Sequence, residues 1–160
     1  MLRAVPELRA DELPSADPLR EDGALAEVGL IDVRHDLLTS EVWLLLDCHG
    51  ALQIDKGSTA VLVVQDATEF IWNAPSRGSM TWWTILGWHV AQVPAGISFT
   101  AGMFPDGQFT VTGESASFYV GDTPEGLGPI LDMAESRPNE VRESLPQWTS
   151  EFTLLASTHS

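Results

Sequence analysis

The sequence predicts a mainly β fold with terminal helices, an α+β class in which about seven to eight strands form an antiparallel meander. Several segments alternate apolar and polar residues with the period of two expected of half-buried strands. Turns that contain glycine or proline separate these segments. The stretch 80–93 holds three of the six tryptophans and is predicted to be a central strand. The pattern leaves open whether the sheet curls into a sandwich or an open barrel.

The chain of 160 residues is long enough to bury one core, so a single domain is expected. Residues 1–24 carry prolines among scattered acids and bases, which predicts a polar N-terminal arm. Residues 25–160 are then a single β-rich domain with a C-terminal helical segment. The N-terminus has no apolar core and no apolar run is long enough for a membrane helix. A cytoplasmic location without membrane contact is expected.

The first half of the chain is predicted to supply four strands. Ile31 and Val33 alternate with polar residues in the first of them. The second, at residues 41–48, has apolar side chains on both faces and is expected to be covered on both sides. β-Branched residues prevail at 60–64 and indicate a buried strand, and a further strand is predicted at 66–72.

The stretch 80–93 is predicted to be a two-sided strand rather than a helix. A helix is disfavoured because glycine costs about 1 kcal/mol in a helix interior, so Gly87 instead indicates a β-bulge or a close approach. The even-numbered face is predicted to lie in the core, and Trp83 and His89 lie on the other face. The apolar residues of the core face are Met80, Trp82, Leu86, Trp88 and Val90.

A hairpin is predicted at residues 97–112. Residues 97–104 alternate most regularly, and the turn Pro105-Asp106-Gly107 leads into a return strand. A further strand at 116–120 extends the meander.

Two short helices are predicted beyond residue 128. Pro129 suits the first turn of one, which would carry Ile130, Leu131 and Met133. Pro138 suits the first turn of the other, which would carry Val141 and Leu145. The last segment, from Trp148 onward, fits helical and strand spacing alike.

No pattern in the sequence indicates catalysis, a cofactor or a metal. Phosphate-binding glycine loops and paired metal-ligand motifs are absent, and the four histidines do not fall at metal-ligand spacing. Asp47-Cys48-His49 contains three residue types that can bind a metal. Neighbouring residues on a strand point to opposite faces, however, so we interpret the segment as the polar end of a strand rather than as a metal site. Cys48 is expected to be a buried structural thiol. We therefore expect a protein that is not an enzyme and binds no cofactor.

The formal net charge of −15 is the strongest signal in the composition. It argues against direct binding to nucleic acid or to an anionic membrane, because both would be repelled. Two interpretations remain, a surface that keeps the protein soluble or complementarity to a protein partner with a basic surface.

Four segments, at residues 26–34, 42–47, 60–70 and 104–112, carry a resemblance to known proteins. Their sequences and spacing resemble a group of small uncharacterised actinobacterial proteins, which are similar to immunity proteins of polymorphic toxin systems. The resemblance implies a non-enzymatic inhibitor that binds and occludes a toxin domain. An acidic inhibitor would associate quickly with a basic target.

Two sets of residues are candidate sites. A protein partner would contact an exposed aromatic anchor surrounded by acids, and the candidates are Trp83, Glu114, Tyr119, Asp122 and Glu125. The alternative is a small-molecule-binding β-barrel or sandwich with a tryptophan-lined pocket. The candidates for that pocket are Trp82, Trp88 and His89.

Overall fold

The computed structural model describes Leu2 and residues 9–76, 80–132 and 134–160. These residues form one antiparallel sheet of nine strands and one short helix. The elements, in chain order, are β1 (Val28–Asp36), β2 (Glu41–Asp47), β3 (Thr59–Gln65), β4 (Glu69–Asn73), β5 (Trp83–Val93), β6 (Gly96–Phe104), β7 (Gly107–Gly113), β8 (Ser115–Asp122), α1 (Pro138–Ser144) and β9 (Thr153–His159). The strand order across the sheet is β4-β7-β6-β5-β1-β2-β3-β8-β9.

The mainly β class is confirmed, although the sheet has nine strands rather than seven or eight. The additional strand is β9, which forms from the last segment of the chain. Within the described residues no pairing joins β4 to β9, so the sheet does not close into a barrel. No helix in this part of the chain is long and apolar enough to cross a membrane.

Of the two predicted helices, the described residues contain only α1, which begins at Pro138 as expected. The helix predicted at Pro129 is wrong for the residues that the structure describes, and Met133 lies outside them. A single turn begins instead at Asp132, whose Oδ1 accepts a hydrogen bond from the Ala134 N–H at 2.8 Å and whose carbonyl accepts one from the Ser136 N–H at 2.9 Å. A local side-chain bond of this kind stabilises a turn, so the chain turns at Asp132 rather than forming a helix from Pro129.

The sheet bends so that one of its faces encloses the main core. β1 and β5 pair through only three residue pairs, which join Val28–Leu30 to Trp83–Ile85. Side chains from β1, β2, β3 and β8 meet those of β5, β6 and β7 in a single buried cluster, in which Leu62, Phe99 and Phe118 are fully buried. The two halves of the sheet are therefore packed face to face.

A second, smaller cluster covers the outer face of β2, β3 and β8. Its buried members are Leu2, Leu45, Val61, Val63 and Tyr119. Trp43, Trp148 and Phe152 pack against it. The expectation that the strand at 41–48 is covered on both sides is therefore confirmed.

The described part of the predicted arm, residues 9–24, packs on the domain instead of extending from it. Leu19 is fully buried in the main core, and the Pro18 carbonyl accepts a hydrogen bond from Trp88 Nε1 at 2.9 Å. The Ser157 N–H of β9 donates to the Glu12 carbonyl at 3.0 Å. The acids and arginines of this segment are mostly on the solvent side, while Ala16, Leu19 and Ala24 turn inward and Leu13 stays exposed.

The predicted bulge in β5 is confirmed, because the register with β6 shifts between Ile85 and Gly87. An extra residue at a bulge exchanges the two faces of a strand. As a result Ile85 before the bulge and Trp88 after it are both buried. The predicted continuous even-numbered core face is wrong, since the side chain of Leu86 is 51% exposed.

Candidate functional site

A cleft of about 720 Å³ lies between β1, residues 80–82 and the segment from α1 to residue 149. Small-molecule sites commonly measure about 300–1,000 Å³ and have mainly apolar walls with a few polar groups. Most of the wall is apolar and includes Leu30, Leu45, Trp82, Val141 and Trp148. The cleft therefore has the size and composition of a ligand site.

The cleft opens where the chain before β5 separates from β1. Pairing between the two strands stops at Leu30 and Trp83, and residues 80–82 have no strand structure. The Trp82 indole lies against the backbone of Gly29, where an added Cβ would overlap the ring. A glycine at position 29 thus provides the space for the aromatic ring that forms one wall.

Trp148 forms part of the opposite wall. Its Nε1 donates a hydrogen bond to Asp32 Oδ2 at 2.8 Å, and its ring meets that of Trp43 edge to face at a centroid distance of 6.1 Å. The turn around it is held by two bonds between Gln147 and Ser150. The Ser150 N–H donates to the Gln147 carbonyl at 2.8 Å, and the Gln147 N–H donates to Ser150 Oγ at 2.9 Å. These contacts fix the indole beside β1.

The cleft contains one carboxylate and one guanidinium group. Both oxygens of Asp32 are used, because Oδ1 accepts from the Val33 N–H at 2.9 Å and Oδ2 accepts from Trp148. Arg142 lies in the last turn of α1 and has no hydrogen bond or ion pair with any residue that the structure describes. Its N–H groups are available to an acceptor on a ligand.

The structure buries one of the predicted partner-binding residues, Tyr119, and half-buries another, Trp83. Tyr119 is 2% exposed, because it faces the side of β8 that the second cluster covers. Trp83 packs against the main core and meets Trp72 edge to face at 5.7 Å. Neither is an exposed aromatic anchor, and for Trp83 the reason is the face exchange at the bulge.

The three acids of the same prediction do not form one surface. Glu114 is exposed between β7 and β8, whereas Asp122 and Glu125 lie at and beyond the opposite end of β8. Asp122 Oδ1 accepts from the Ser58 N–H at 3.0 Å, and Glu125 Oε1 accepts from Ser150 Oγ at 3.0 Å. These two carboxylates hold loops in place.

Of the predicted pocket residues, Trp82 lines the cleft and the other two do not. Trp88 is 3% exposed and stacks on Phe99 at 5.1 Å in the main core. His89 is exposed, and its Nδ1 lies 3.0 Å from Asp22 Oδ2. The hydrogen bond from the Val90 N–H, followed by the one from His89, lowers the pKa of the Asp22 carboxyl.

A separate apolar feature is the tip of the β1–β2 hairpin, at Leu37 and Leu38. Their side chains are 80% and 98% exposed. Asp36 Oδ1 accepts from the Leu38 N–H at 3.0 Å and stabilises the turn. The Ala67 N–H donates to the Ser40 carbonyl at 2.7 Å, which brings the loop after β3 to the base of the tip. We call Leu37 and Leu38 the leucine tip.

Within the part of the chain that the structure describes, the other chemical groups give no sign of a metal or nucleophile site. No cluster of three or more potential metal ligands occurs among the residues described here. Cys48 is a buried free thiol, as expected. Its burial, followed by the nearby Asp47 charge, raises the pKa of the thiol and keeps it protonated.

No protein-family model, no curated protein and no solved structure matches this chain. The resemblance to immunity proteins stays a prediction. The cleft, the leucine tip and the charge of the chain are the features that bear on function.

Proposed function

We propose that this protein is a non-enzymatic binding protein that holds an amphipathic small molecule in the cleft. The observation that carries the proposal is a recess of about 720 Å³ lined by Trp82, Trp148 and Arg142, whose guanidinium group has no partner among the described residues. An apolar ring or chain of the ligand would lie against the two indoles, and a hydrogen-bond acceptor at its end would meet the guanidinium group. A cytoplasmic location belongs to the proposal, in keeping with the buried free thiol of Cys48.

Filling the cleft is expected to prevent ligand binding. The probe is N-phenyl-1-naphthylamine, a neutral aromatic molecule whose fluorescence rises in apolar sites. Thr81→Trp places a large ring in the cleft from a half-buried position outside the strands. Because the ring occupies the space of the probe, we expect affinity in a fluorescence titration to fall by about tenfold or more, or roughly 1.4 kcal/mol.

The matched control is Leu86→Trp, which adds the same ring at the exposed bulge of β5. It should bind the probe as the wild type does. If Thr81→Trp binds the probe with wild-type affinity while its circular dichroism stays native, the probe does not use the cleft and the proposal is wrong.

The second candidate is an immunity-type inhibitor that occludes a basic toxin or another protein with a basic surface. The net charge of −15 and the leucine tip favour it. The two leucines would enter an apolar depression on the partner, and basic groups around it would face Asp36 and Asp66. The partner would be a protein, because the same charge disfavours nucleic acid and anionic membranes.

This candidate predicts capture of a basic protein from a lysate of the native host at low salt. The capture should require the leucine tip, so the double variant Leu37→Ser, Leu38→Ser should lose the partner. The control Leu127→Ser, Ile130→Ser removes two apolar side chains that are 70% and 73% exposed elsewhere, and it should keep the partner. Recovery of no basic protein, or equal recovery by both double variants, would rule the candidate out.

A further inference from the structure

His49 links the end of β2 to the loop that follows β8. Its Nδ1 contacts the Asp47 carboxylate, and its Nε2 lies 2.5 Å from the Gly126 carbonyl oxygen. The two ring nitrogens thus meet one acceptor each, from two different parts of the chain. A neutral imidazole has a single N–H donor, whereas the protonated ring has two. Only the imidazolium form can donate both hydrogen bonds.

The charged groups around His49 favour the protonated form. Burial disfavours the charged imidazole and by itself would lower the pKa of His49. The hydrogen bond and charge of Asp47, the Gly126 carbonyl and the Asp122 charge outweigh burial and raise the pKa. Glu125 lines the same small cavity, of about 30 Å³, and adds a further carboxylate on the loop side.

The loop that His49 holds is connected to the wall of the cleft. Gly126 follows Glu125, whose Oε1 accepts a hydrogen bond from Ser150 Oγ at 3.0 Å. The same Ser150 hydroxyl oxygen accepts from the Gln147 N–H at 2.9 Å and closes the turn that carries Trp148. Leu145 and Pro146 lie between the two recesses and line both of them.

One group in this network would gain from an opening of the loop. Among the residues that the structure describes, Glu125 Oε2 is buried without a hydrogen-bond partner. A buried acceptor without a donor is unfavourable, and water would satisfy it. The hydrogen bond between Thr59 Oγ1 and Thr123 Oγ1, at 3.0 Å, opposes opening because it helps to hold the loop on β3. Interactions that favour the open and the closed position of the loop therefore oppose each other, and a single hydrogen bond can shift the balance between the two positions.

We propose that protonated His49 is a latch that holds the 147–150 wall of the cleft in its binding position, so that ligand affinity decreases as the pH rises. This inference rests on the proposed ligand function of the cleft. Because the pKa is raised in the folded protein, the latch is fully formed below the ordinary imidazole value of about 6.5. It is lost as the pH rises through the raised value.

The test measures the affinity of the full-length protein for N-phenyl-1-naphthylamine from pH 5.5 to 9, where the probe stays neutral. Wild-type affinity should fall by about threefold to tenfold over this range, which is the size expected for one net hydrogen bond. His49→Gln removes the titrating group and should give an affinity that does not change with pH. His89→Gln removes an exposed histidine outside the cleft and should keep the wild-type pH dependence.

The outcomes separate the latch from the ligand function itself. Probe binding that is independent of pH in the wild type, or a pH dependence that persists in His49→Gln, would overturn the latch while leaving the cleft as a ligand site. If Thr81→Trp and the wild type bind the probe equally at every pH, the ligand function fails and the latch fails with it.

Discussion

Replacing Leu19 with alanine is expected to lower the free energy of unfolding by about 2–5 kcal/mol. Leu19 is fully buried in the main core, so the substitution removes apolar contacts and leaves a cavity. A domain of this size is stable by only about 5–15 kcal/mol, so the loss is a large part of the total. Chemical denaturation followed by tryptophan fluorescence measures it.

Leu13 offers a matched control in the same segment, because its side chain is 76% exposed. Leu13→Ala should change the free energy of unfolding by no more than about 0.5 kcal/mol. If the two variants unfold at the same denaturant concentration, residues 9–24 behave as the polar arm that the sequence predicted, and the packing of Leu19 in the core is wrong.

Replacing Trp88 with alanine is expected to cost about 3–5 kcal/mol of stability. The ring stacks on Phe99 and its Nε1 donates to the Pro18 carbonyl, so both the core and the N-terminal segment lose contacts. Trp88→Phe keeps an aromatic ring but leaves that carbonyl without its donor, which should cost about 1–3 kcal/mol. Equilibrium denaturation of the two variants separates the packing from the hydrogen bond.

Leu86→Ala is the control for Trp88, since it truncates an apolar side chain only two residues away on the exposed bulge. We expect a change within about 0.5 kcal/mol. A Trp88→Ala variant as stable as Leu86→Ala would mean that the Trp88 ring lies outside the core, as in the tryptophan-lined pocket that the sequence suggested.

The elements predicted correctly are those whose signal is local. The hairpin of β6 and β7 follows from strict alternation on both sides of the turn Pro105-Asp106-Gly107. The covered faces of β2 follow from apolar residues at odd and even positions. In both cases the pattern within one segment determines which side chains are buried.

The face assignment in β5 failed although the bulge at Gly87 was expected. A shift of one residue moves every later side chain to the other face of the sheet. Alternation counted through the bulge therefore placed Trp82 in the core and Trp83 on the surface. The tryptophans could be assigned correctly only with the register between β5 and β6, which depends on the partner strand.

The cleft was beyond the reach of sequence patterns because its groups come from distant segments. Asp32 lies in β1, Arg142 in α1 and Trp148 in a segment whose spacing fitted a helix and a strand equally. Each is a single polar or aromatic residue without a motif around it. Only the folded chain shows that the Asp32 carboxylate and the Trp148 indole form a hydrogen bond.

The position of residues 9–24 also bears on self-association. β9 is an edge strand, and open backbone groups at a sheet edge can pair with a second chain. The bond from the Ser157 N–H to the Glu12 carbonyl, together with Arg20 Nη2 donating to the His159 carbonyl at 2.7 Å, occupies backbone groups at the C-terminal end of that edge. A substitution that loosens this segment would therefore expose a template for aggregation as well as weaken the core.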